Sequence, residues 1–404
     1  MKAVLINNYD LLGILDLLQQ ESGNAPAQHL WGYSLLSRHD IGVDILPFQG
    51  SVFLKKISEK LKFLGDLDQQ LRLLLTCHQY EYDVIYSAHY LTTAFLSFLS
   101  VVGLLKKPIV AIGYQAPRTK AFYWKFFVKT FIEGNNKILC LSKSLLQDLE
   151  EFGVPRQKLD LIEWGTDLRF YQPADPDQVQ QSEARPFILS PGKSYRDYAT
   201  LVKAFSGFDG ELTICGAGQL DCQALKDQTR SQSMDKLPDN ISVVEEMLDW
   251  RAFIRLYQQA YAVAIPLLDE KTKFKNALGL TVLTEAMAMG KAIVMTRNEY
   301  VGVDLEQEGI GLWVESGDVE GWRRAIAYLL AHPDETRDMG RRARLLAEKR
   351  FNLENFSQKL AESLWQAHQA ANPQNSGLVQ TQTIEQVPGF GSQACQPNRA
   401  KSFS

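Results

Sequence analysis

The sequence predicts an α/β protein with two Rossmann-like domains, each built on a parallel sheet. Short apolar runs alternate with helix-like patterns along most of the chain, and this alternation is typical of parallel sheets covered by helices on both faces. The length of 404 residues exceeds one ordinary domain and fits two. Because such sheets bind ligands beyond the carboxyl ends of their strands, we expect the two sheets to face a central cleft.

The first domain is predicted over residues 1–170. Its candidate strands are short apolar runs: Ala3–Ile6, Val43–Phe48, Val84–Ser87, Ile109–Ile112 and Ile138–Leu141. Apolar residues between Leu54 and Leu74 recur at helical spacing, which predicts a helix with one buried face. The longest apolar run, Leu91–Leu105, is shorter than the roughly twenty residues that span a bilayer, and it predicts a buried helix.

The second domain is predicted over residues 187–350. Its candidate strands are Phe187–Ser190, Glu211–Cys215, Ile241–Val244, Ala262–Ile265, Ala292–Met295 and Gly311–Val314. Residues 171–186 are rich in Pro, Asp and Gln and lack an apolar period, so they are interpreted as the linker between the domains. Residues 351–370 predict a closing helix, and the polar residues 371–404 predict a disordered tail.

The composition excludes several classes of protein. Lys and Arg total 43 against 47 Asp and Glu, and the formal net charge of −4 argues against a nucleic-acid binder. The 5 cysteines are widely spaced without a CxxC pair. We therefore expect neither a disulfide framework nor a zinc site, and a reducing cytoplasm fits best. The first residues lack the apolar stretch of a secretory signal, so we expect a cytoplasmic enzyme or binding protein.

One stretch, residues 276–296, stands out for its chemistry. It combines Gly279, a helix that begins near Thr281, one acidic residue at Glu285, a glycine at the helix end and a strand. An ionised glutamate in an apolar helix is costly unless hydrogen-bond donors surround it, and the hydroxyls of a nucleotide ribose would be such donors. The pattern alone leaves a second interpretation open, in which Glu285 pairs with a neighbouring arginine or a backbone amide.

This stretch resembles the donor-site signature of the GT-B glycosyltransferases, specifically family 4. Further stretches that match the family in type and order are Cys140–Ser144 with 154–167, Pro191–Phe205, Cys215–Gly218 and Gly309–Asp318. The resemblance implies the GT-B fold and the transfer of a sugar from a nucleoside diphosphate sugar, with retention of configuration, to a glycan or lipid-linked acceptor. It implies no metal ion and no cofactor. It also assigns Glu285 to the ribose, and Gly279 and Thr281 to the donor.

The sequence departs from the family within this signature. The family usually has a pair of glutamates, the first at the sugar and the second at the ribose. Glu285 matches the second, but the first position of the pair, eight residues earlier, is Ala277. We therefore expect Asn276, or backbone amides near Leu278 and Gly279, to hold the sugar, because the start of a helix presents unpaired amides.

Glycine-bearing loops complete the expected donor site. Gly192 follows the first strand of the second domain, where a glycine lets a diphosphate approach the backbone. Lys193 and Arg196 in the same loop would neutralise the charge of the departing diphosphate, and a solvated basic turn is the alternative. Gly216 and Gly218 form a GxG turn expected near the base or ribose, which a simple strand-to-helix turn explains equally well.

The first domain would contribute the acceptor side of the cleft. Gly23 and His29 lie where the family has a glycine-bearing loop between its first strand and first helix. His89 follows the predicted strand Val84–Ser87, again at a carboxyl end. We expect these three residues to line the cleft, and a purely structural role stays open for each histidine.

A basic and aromatic stretch bears on the partners of the protein. Between Lys106 and Lys143, eight basic residues stand against the one acid Glu133, and residues 121–132 mix aromatic residues with lysines. Such a segment can lie in the interface of an anionic membrane, which would place the protein peripherally on the inner face. In the alternative, the aromatic side chains pack into the core and the lysines stay in water.

Two other functions stay open on the sequence alone. A non-hydrolysing nucleotide-sugar epimerase would convert the donor without an acceptor, and it should carry more acid–base residues than this sequence offers in the expected cleft. A non-catalytic sugar-nucleotide-binding protein of the same fold is compatible with the missing first glutamate. Fold alone does not separate these functions.

Overall fold

The computed structural model of the protein describes residues 1–20, 25–48, 53–54, 56–57, 67–75, 81–117, 129, 132–174, 186–192, 195–216, 237–246, 248–268 and 274–373. Two parallel sheets divide this part of the chain into two lobes, as the sequence predicts. Most of the predicted linker 171–186 and most of the predicted tail 371–404 lie outside the described residues.

The strands of the first lobe are β1 (Lys2–Ile6), β2 (Gly42–Ile45), β3 (Val84–Ser87), β4 (Ile109–Gly113), β5 (Gln115–Pro117), β6 (Lys137–Cys140) and β7 (Leu159–Leu161). All except β5 form a six-stranded sheet in the order β2-β1-β3-β4-β6-β7, and every neighbouring pair is parallel. Strands β3 and β4 are buried along their whole length, as expected for a sheet covered on both faces.

The strands of the second lobe are β8 (Phe187–Pro191), β9 (Glu211–Cys215), β10 (Ile241–Val244), β11 (Ala262–Ile265), β12 (Phe274–Asn276), β13 (Ala292–Thr296) and β14 (Gly311–Val314). All except β12 form a second parallel sheet, in the order β10-β9-β8-β11-β13-β14. This is the strand order of a doubly wound nucleotide-binding sheet. From β8 the chain adds β9 and β10 on one side and then β11, β13 and β14 on the other, so the order of the strands reverses between β8 and β11. The crevice beyond the carboxyl ends of these two strands is where such a sheet binds its ligand.

Eleven α-helices are found in the described residues: α1 (Leu11–Gln20), α2 (Tyr33–Leu36), α3 (Leu67–Leu75), α4 (Ala94–Val101), α5 (Lys143–Phe152), α6 (Tyr198–Phe205), α7 (Trp250–Gln259), α8 (Leu280–Ala288), α9 (Val319–Ala331), α10 (Pro333–Lys349) and α11 (Leu353–Ala371). Short 3-10 helices cover Ala27–Leu30, Ser37–His39, Tyr90–Thr93, Arg156–Lys158 and Glu299–Val301. None of the helices in the described part of the chain has the length and apolar character needed to cross a bilayer.

Side-chain caps fix where several of these helices begin. Asp197 accepts a hydrogen bond from the Thr200 amide (3.1 Å) at the start of α6, and Asp249 accepts one from the Ala252 amide (2.7 Å) at the start of α7. Helix α8 differs, because it begins after Gly279 and no side chain caps it. The amides of its first turn are therefore not used by a side-chain cap.

The closing helix α11 packs on the first lobe although it follows the second lobe in sequence. It contacts α2 and strands β3, β4 and β6 of the first lobe, and Phe356 on this helix is buried. The indole N–H of Trp365 donates to the carbonyl of His39 (3.1 Å). After the second lobe, the chain therefore returns to the first lobe, where α11 packs.

The prediction of one buried helix over Leu91–Leu105 is partly wrong. A 3-10 turn precedes α4, and α4 ends at Val101. Val101 at the end of α4 and Val102 and Leu104 beyond it are 48%, 49% and 76% exposed. The apolar run in the sequence therefore extends beyond the helix that packs on the sheet.

Main-chain pairing joins the two lobes. Strand β5 of the first lobe and strand β12 of the second pair antiparallel, in the register Phe274 to Pro117, Lys275 to Ala116 and Asn276 to Gln115. The next amide, that of Ala277, donates to the carbonyl of Tyr114 (3.0 Å). An ion pair between Lys275 and Asp148 (2.6 Å) supports the same contact. We call the paired residues 114–117 and 274–277 the interlobe ladder.

Candidate active site

The loop after β8 lies at the point where the strand order of the second sheet reverses. Arg196 pairs with Leu267, which follows β11, and the Asp197 amide donates to the carbonyl of Pro266 (3.2 Å). The Gly192 amide donates to the carbonyl of Cys215 at the end of β9 (2.9 Å). The structure therefore holds this loop against both neighbouring strands, in the crevice where doubly wound sheets bind ligands.

The Arg196 guanidinium packs closely against the backbone of Gly192 within this loop. Gly192 has a φ of 113°, which favours glycine, and a Cβ atom there would overlap the Arg196 guanidinium. Arg196 is 6% exposed, and its Nε donates to the carbonyl of Pro191 (3.4 Å). Burial lowers the pKa of Arg196, while the charge of Glu285 acts in the opposite direction. An arginine keeps its charge in such surroundings, so the crevice contains a buried cation.

A cleft of about 580 Å³ opens between the lobes at this point. It is lined by His29, Tyr114 and Gln115 of the first lobe and by Tyr195, Arg196 and residues 276–282 of the second lobe. The structure thus brings together five residues that the sequence assigns to the donor or to the cleft, namely His29, Arg196, Asn276, Gly279 and Thr281.

The segment Asn276–Gly279 is held in place by a side chain from the neighbouring strand. The amide of Asn298, which follows β13, donates to the carbonyls of Asn276 (3.2 Å) and Leu278 (3.0 Å). Gly279 adopts a φ of 81°, and a Cβ atom there would lie 2.8 Å from Cε of Met295. These contacts fix how the start of α8 faces the cleft.

The position of the missing first glutamate lies on the interlobe ladder. Ala277 contributes only its backbone there, and its amide is bound to the Tyr114 carbonyl. None of the described residues that line the cleft is acidic. Asn276 and Gln115 supply side-chain amides instead, so the described lining of the cleft is uncharged except for Arg196 and, when protonated, His29.

Glu285 lies in the middle of α8, is 4% exposed and is not among the residues that line the described cleft. In the described part of the chain, Gln28 donates to its Oε1 (2.9 Å), the Tyr171 hydroxyl donates to the same oxygen (2.8 Å), and the Tyr257 hydroxyl donates to its Oε2 (3.1 Å). The hydrogen-bond donors are therefore neutral side chains, rather than the arginine or backbone amide that the sequence left open.

Glu285 titrates near neutral pH. Burial raises its pKa from 4.5 to about 7, while the hydrogen bonds from Tyr171, Tyr257 and Gln28 and the charge of Arg196 act in the opposite direction. Burial and the nearby carboxylate raise the pKa of both tyrosines well above 10, so they stay protonated and act as donors. The ionised carboxylate is the better acceptor for further hydroxyl groups.

The first lobe presents an aromatic wall to the cleft, formed by Tyr114 and His29 and supported by Trp31 and Tyr9. The indole N–H of Trp31 donates to the Tyr9 hydroxyl (2.6 Å), which donates to the carbonyl of His29 (2.7 Å). The ring of Trp31 stacks on that of Tyr114, with 6.3 Å between the centroids. Burial lowers the pKa of His29 to about 4, so this cleft residue is neutral at physiological pH.

His89 does not line the described cleft, in contrast to the prediction. It is 4% exposed and lies behind Tyr114, with 4.2 Å between the ring centroids. Its Nδ1 accepts a hydrogen bond from the Leu91 amide (3.3 Å) and caps the 3-10 helix that follows β3. The proton of the neutral ring is therefore assigned to Nε2, which has no partner in the described residues.

The remaining predicted site residues divide into two groups. Gly216 is buried at the carboxyl end of β9, next to the loop that holds Gly192, and is not among the residues that line the cleft. Lys193, Gly218 and Gly23 lie outside the described residues.

Comparison with protein families decides the class of protein. Residues 38–170 match the family described as Glycosyltransferase Family 4, and residues 195–332 match the family described as Glycosyl transferases group 1. The two matches lie one in each lobe, on either side of the cleft. The chain belongs to the GT-B glycosyltransferases.

Individual relatives of this glycosyltransferase are distant. Over 240 residues it is 25% identical to the N-acetyl-alpha-D-glucosaminyl L-malate synthase of Bacillus anthracis, and the alignment covers 56% of this chain. It covers 58% of that relative, so the chain spans little more than half of its length.

Solved structures similar to this glycosyltransferase share its fold. Anabaena HepE, solved in complex with UDP, is 16% identical with a TM-score of 0.60, and the match covers 91% of this chain and 100% of HepE. The sucrose-phosphate synthase of Thermosynechococcus elongatus is 16% identical with a TM-score of 0.68, and the match covers 91% of this chain and 99% of the synthase. At this level of identity the likeness establishes the GT-B fold.

Several residues at this site of the glycosyltransferase were not found from the sequence. Gln28, Tyr114, Tyr171, Tyr257 and Asn298 are neutral, and nothing in their own chemistry distinguishes them from other polar residues of the sequence. Tyr171 is the clearest case, because the prediction places it in the polar linker whereas it is fully buried against Glu285. The position of Asn298 just after a predicted strand is the one signal that pointed toward the cleft.

We predict that Gly279→Ala destabilises the glycosyltransferase by about 3 kcal/mol, because it adds both backbone strain and a clash with Met295. Gly317→Ala is the matched control, since Gly317 has a φ of 72° and open space around it, and it should cost about 1 kcal/mol. Urea unfolding of both variants measures the difference. Equal losses would show that packing at the start of α8 is not tight.

We predict that His89→Asn makes the glycosyltransferase less sensitive to acid. Burial lowers the pKa of His89 to about 3, so the stability that the neutral ring contributes is present above about pH 6.5 and is lost as the pH falls toward 3. At about pH 5 the wild type should have lost about 2 kcal/mol through this group. Asparagine does not titrate and can still accept from the Leu91 amide. Urea unfolding at neutral and acidic pH tests this, and an unchanged pH dependence would contradict it.

Proposed function

We propose that the protein transfers a sugar from a nucleoside diphosphate sugar to a hydroxyl group of a glycan or lipid-linked acceptor, with retention of configuration. The observation that carries the proposal is that Arg196, Asn276, Gly279 and Thr281 line one cleft. This cleft lies where the strand order of the second sheet reverses, between β8 and β11. Arg196 is suited to phosphate, and Asn276 and Gly279 are assigned to the sugar. Arg196 comes from the loop after β8, whereas the other three residues come from the segment at the start of α8.

The donor's diphosphate lies against Arg196 and the start of α8 in this proposal. Arg196 offers a planar set of donors to phosphate oxygens, and the uncapped first turn of α8 adds amides and the positive end of a helix dipole. Lys193, three residues before Arg196, adds a second cation. These groups stabilise the charge that develops on the leaving diphosphate, so the proposed reaction uses neither a metal ion nor a cofactor.

The sugar lies between Asn276 and the first lobe, and the acceptor approaches from the aromatic wall of Tyr114 and His29. The bond between the anomeric carbon and the diphosphate oxygen breaks as the acceptor oxygen bonds to the same carbon on the same face. The acceptor proton passes to the leaving diphosphate oxygen. This assignment of the base is supported by the described cleft lining, which contains no carboxylate.

Glu285 completes the proposed nucleotide site, because its carboxylate accepts a hydrogen bond from a ribose hydroxyl. UDP is the first nucleotide to test, because the similar structure of HepE was solved with UDP. Closure of the lobes over the donor excludes water and limits hydrolysis.

Peripheral contact with an anionic membrane is part of the proposal. Most of residues 121–132, on which the prediction rests, lie outside the described residues. In the described part of the chain, Val101, Val102 and Leu104 are exposed, and Lys106 and Lys107 follow after Leu105. Apolar side chains beside lysines suit the interface of an anionic bilayer, where a lipid-linked acceptor would be found. Sedimentation with vesicles that contain anionic lipid tests this part, and equal recovery with neutral and anionic vesicles would contradict it.

A screen of UDP-, GDP-, ADP- and TDP-sugars tests the proposed transfer. We expect one donor class to raise the thermal midpoint through binding, and to release free nucleoside diphosphate faster when an acceptor is added. Binding without any release would favour the non-catalytic alternative. Conversion of the donor to an isomer without an acceptor would favour the epimerase. The anomeric configuration of the product, read by NMR, decides retention.

A further inference from the structure

Gln28 of the first lobe reaches into the second lobe and contacts Glu285. It lies on the 3-10 helix Ala27–Leu30 and is 1% exposed. Its amide nitrogen donates to Oε1 of Glu285 (2.9 Å), and its amide oxygen accepts from the backbone amide of Asp167 (3.0 Å). Both ends of the side chain are therefore bonded, and the orientation of the amide group is fixed by its partners.

We propose that Gln28 is a positioning residue for nucleotide binding, which holds the Glu285 carboxylate in the orientation and the ionised state that the ribose needs. This proposal rests on the proposed function, because it takes Glu285 as the residue that binds the ribose. It adds a first-lobe side chain to a nucleotide site that the second lobe would otherwise form alone.

The hydrogen-bond donors are distributed unevenly over the two carboxylate oxygens of Glu285. Gln28 and Tyr171 both donate to Oε1, while Tyr257 alone donates to Oε2 in the described residues. A carboxylate oxygen accepts about two hydrogen bonds. Oε1 is therefore filled by the protein, and Oε2 keeps capacity for one ribose hydroxyl. Gln28 thus leaves Oε2 as the oxygen that this proposal assigns to the ribose.

The electrostatic surroundings of Glu285 also support the proposal. Among the described residues, the titratable and charged groups that face Glu285 are Arg196, Cys215, Tyr171 and Tyr257. Burial raises the pKa of Cys215 to about 12, and the tyrosines are also protonated at neutral pH, so Arg196 is the charged group among them. Neutral donors such as Gln28 therefore carry much of the stabilisation of the buried carboxylate.

Gln28 is itself held in place by reciprocal hydrogen bonds. The Ala27 amide donates to the Asp167 carboxylate (3.1 Å), and the Asp167 amide donates to Gln28 in return. This reciprocal pair fixes the 3-10 helix against the segment that leads to Tyr171. Glu285 is therefore surrounded by its full set of donors only while the two lobes are closed on each other.

The test is calorimetric titration of the full chain with UDP, from about pH 5.5 to about pH 9, for the wild type, Gln28→Leu, Glu285→Gln and the double variant. UDP binding in the wild type should strengthen as the pH rises through the pKa of Glu285. In Gln28→Leu the midpoint of this rise should move up by about one pH unit, with about tenfold weaker binding near pH 7 and near-normal binding at the alkaline end.

Glu285→Gln supplies the reference, because the phosphate of UDP also titrates near pH 6. In the Glu285→Gln background, Gln28→Leu should leave the pH profile unchanged, since the group that it acts on no longer titrates. Gln70→Leu is the matched control, because Gln70 is a buried glutamine of the first lobe that bonds to the Leu96 amide instead. It should leave the midpoint at its wild-type value.

The outcomes separate the two proposals. If the wild type binds UDP no better than Glu285→Gln at any pH, the ribose assignment fails and the role of Gln28 fails with it. If the wild type shows the Glu285-dependent rise but Gln28→Leu leaves its midpoint in place, only the Gln28 proposal is overturned. A loss of affinity that is equal at every pH would also overturn it, because that is the result expected for a merely structural residue.

Discussion

Replacing Arg196 with methionine is expected to lower kcat/KM for the nucleotide sugar by about a hundredfold to a thousandfold. Arg196 is the described cation of the cleft at neutral pH, and it lies in the crevice where the leaving diphosphate gathers negative charge. Methionine fills a similar volume without charge, so the packing against Gly192 is largely kept. The rate of nucleoside diphosphate release, measured at several donor concentrations, gives the effect.

A surface arginine serves as the control for this experiment. Arg337→Met removes an exposed guanidinium from α10, which pairs only with Asp334 on the same helix turn (3.0 Å) among the described residues. It should leave kcat/KM at the wild-type value, because exposed ion pairs contribute little. Wild-type turnover in Arg196→Met, with thermal unfolding near normal, would refute the assignment of the phosphate to this crevice.

Replacing Glu285 with glutamine is expected to stabilise the protein at alkaline pH while it weakens nucleotide binding. The folded-state pKa of about 7 lies above the ordinary 4.5. The protonated carboxyl therefore contributes stability that is complete below about pH 4.5 and is lost as the pH rises to 7. At about pH 8 the variant should be more stable than the wild type by about 2 to 3 kcal/mol.

The same variant should bind the nucleotide about ten- to a hundredfold more weakly above pH 7, because it loses charge-assisted hydrogen bonds to the ribose. Urea unfolding near pH 5 and pH 8 gives the stability difference, and calorimetry gives the affinity. The stability gain should be nearly absent at the lower pH. A variant that is less stable than the wild type at both pH values would show that Glu285 is a structural residue whose charge the fold tolerates.

The sequence predicted the two sheets well because each central strand is an uninterrupted apolar run between polar turns. Strands β3, β9, β10, β11 and β14 were placed with their observed bounds. Strands β5 and β12 were missed, since three residues show no periodicity and pair only because the folded lobes bring distant segments together. Strand β7 was missed for the same reason of length.

The candidate site was predictable where it depends on charge or glycine, and not where it depends on neutral groups. Arg196, Gly279 and Glu285 stand out because a cation, a flexible residue or a buried carboxylate is unusual in its local pattern. Gln28 and Tyr171 carry no such signal, because their importance comes from the one carboxylate that they share. Their roles depend on contacts between segments more than a hundred residues apart in the chain.

The interlobe ladder contributes to the free energy that is needed to open the cleft. Its bonds are between main-chain groups, so side-chain substitutions along residues 115–117 would leave the number of those bonds unchanged. Each contributes about 0.5 to 1.5 kcal/mol net, and together they amount to a few kcal/mol, similar to the energy that a bound substrate supplies. Opening the cleft would break these bonds together with the Lys275–Asp148 ion pair and the hydrogen bond from Gln28 to Glu285. We expect the release of the nucleoside diphosphate to follow the rate of this opening rather than the rate of the chemical step.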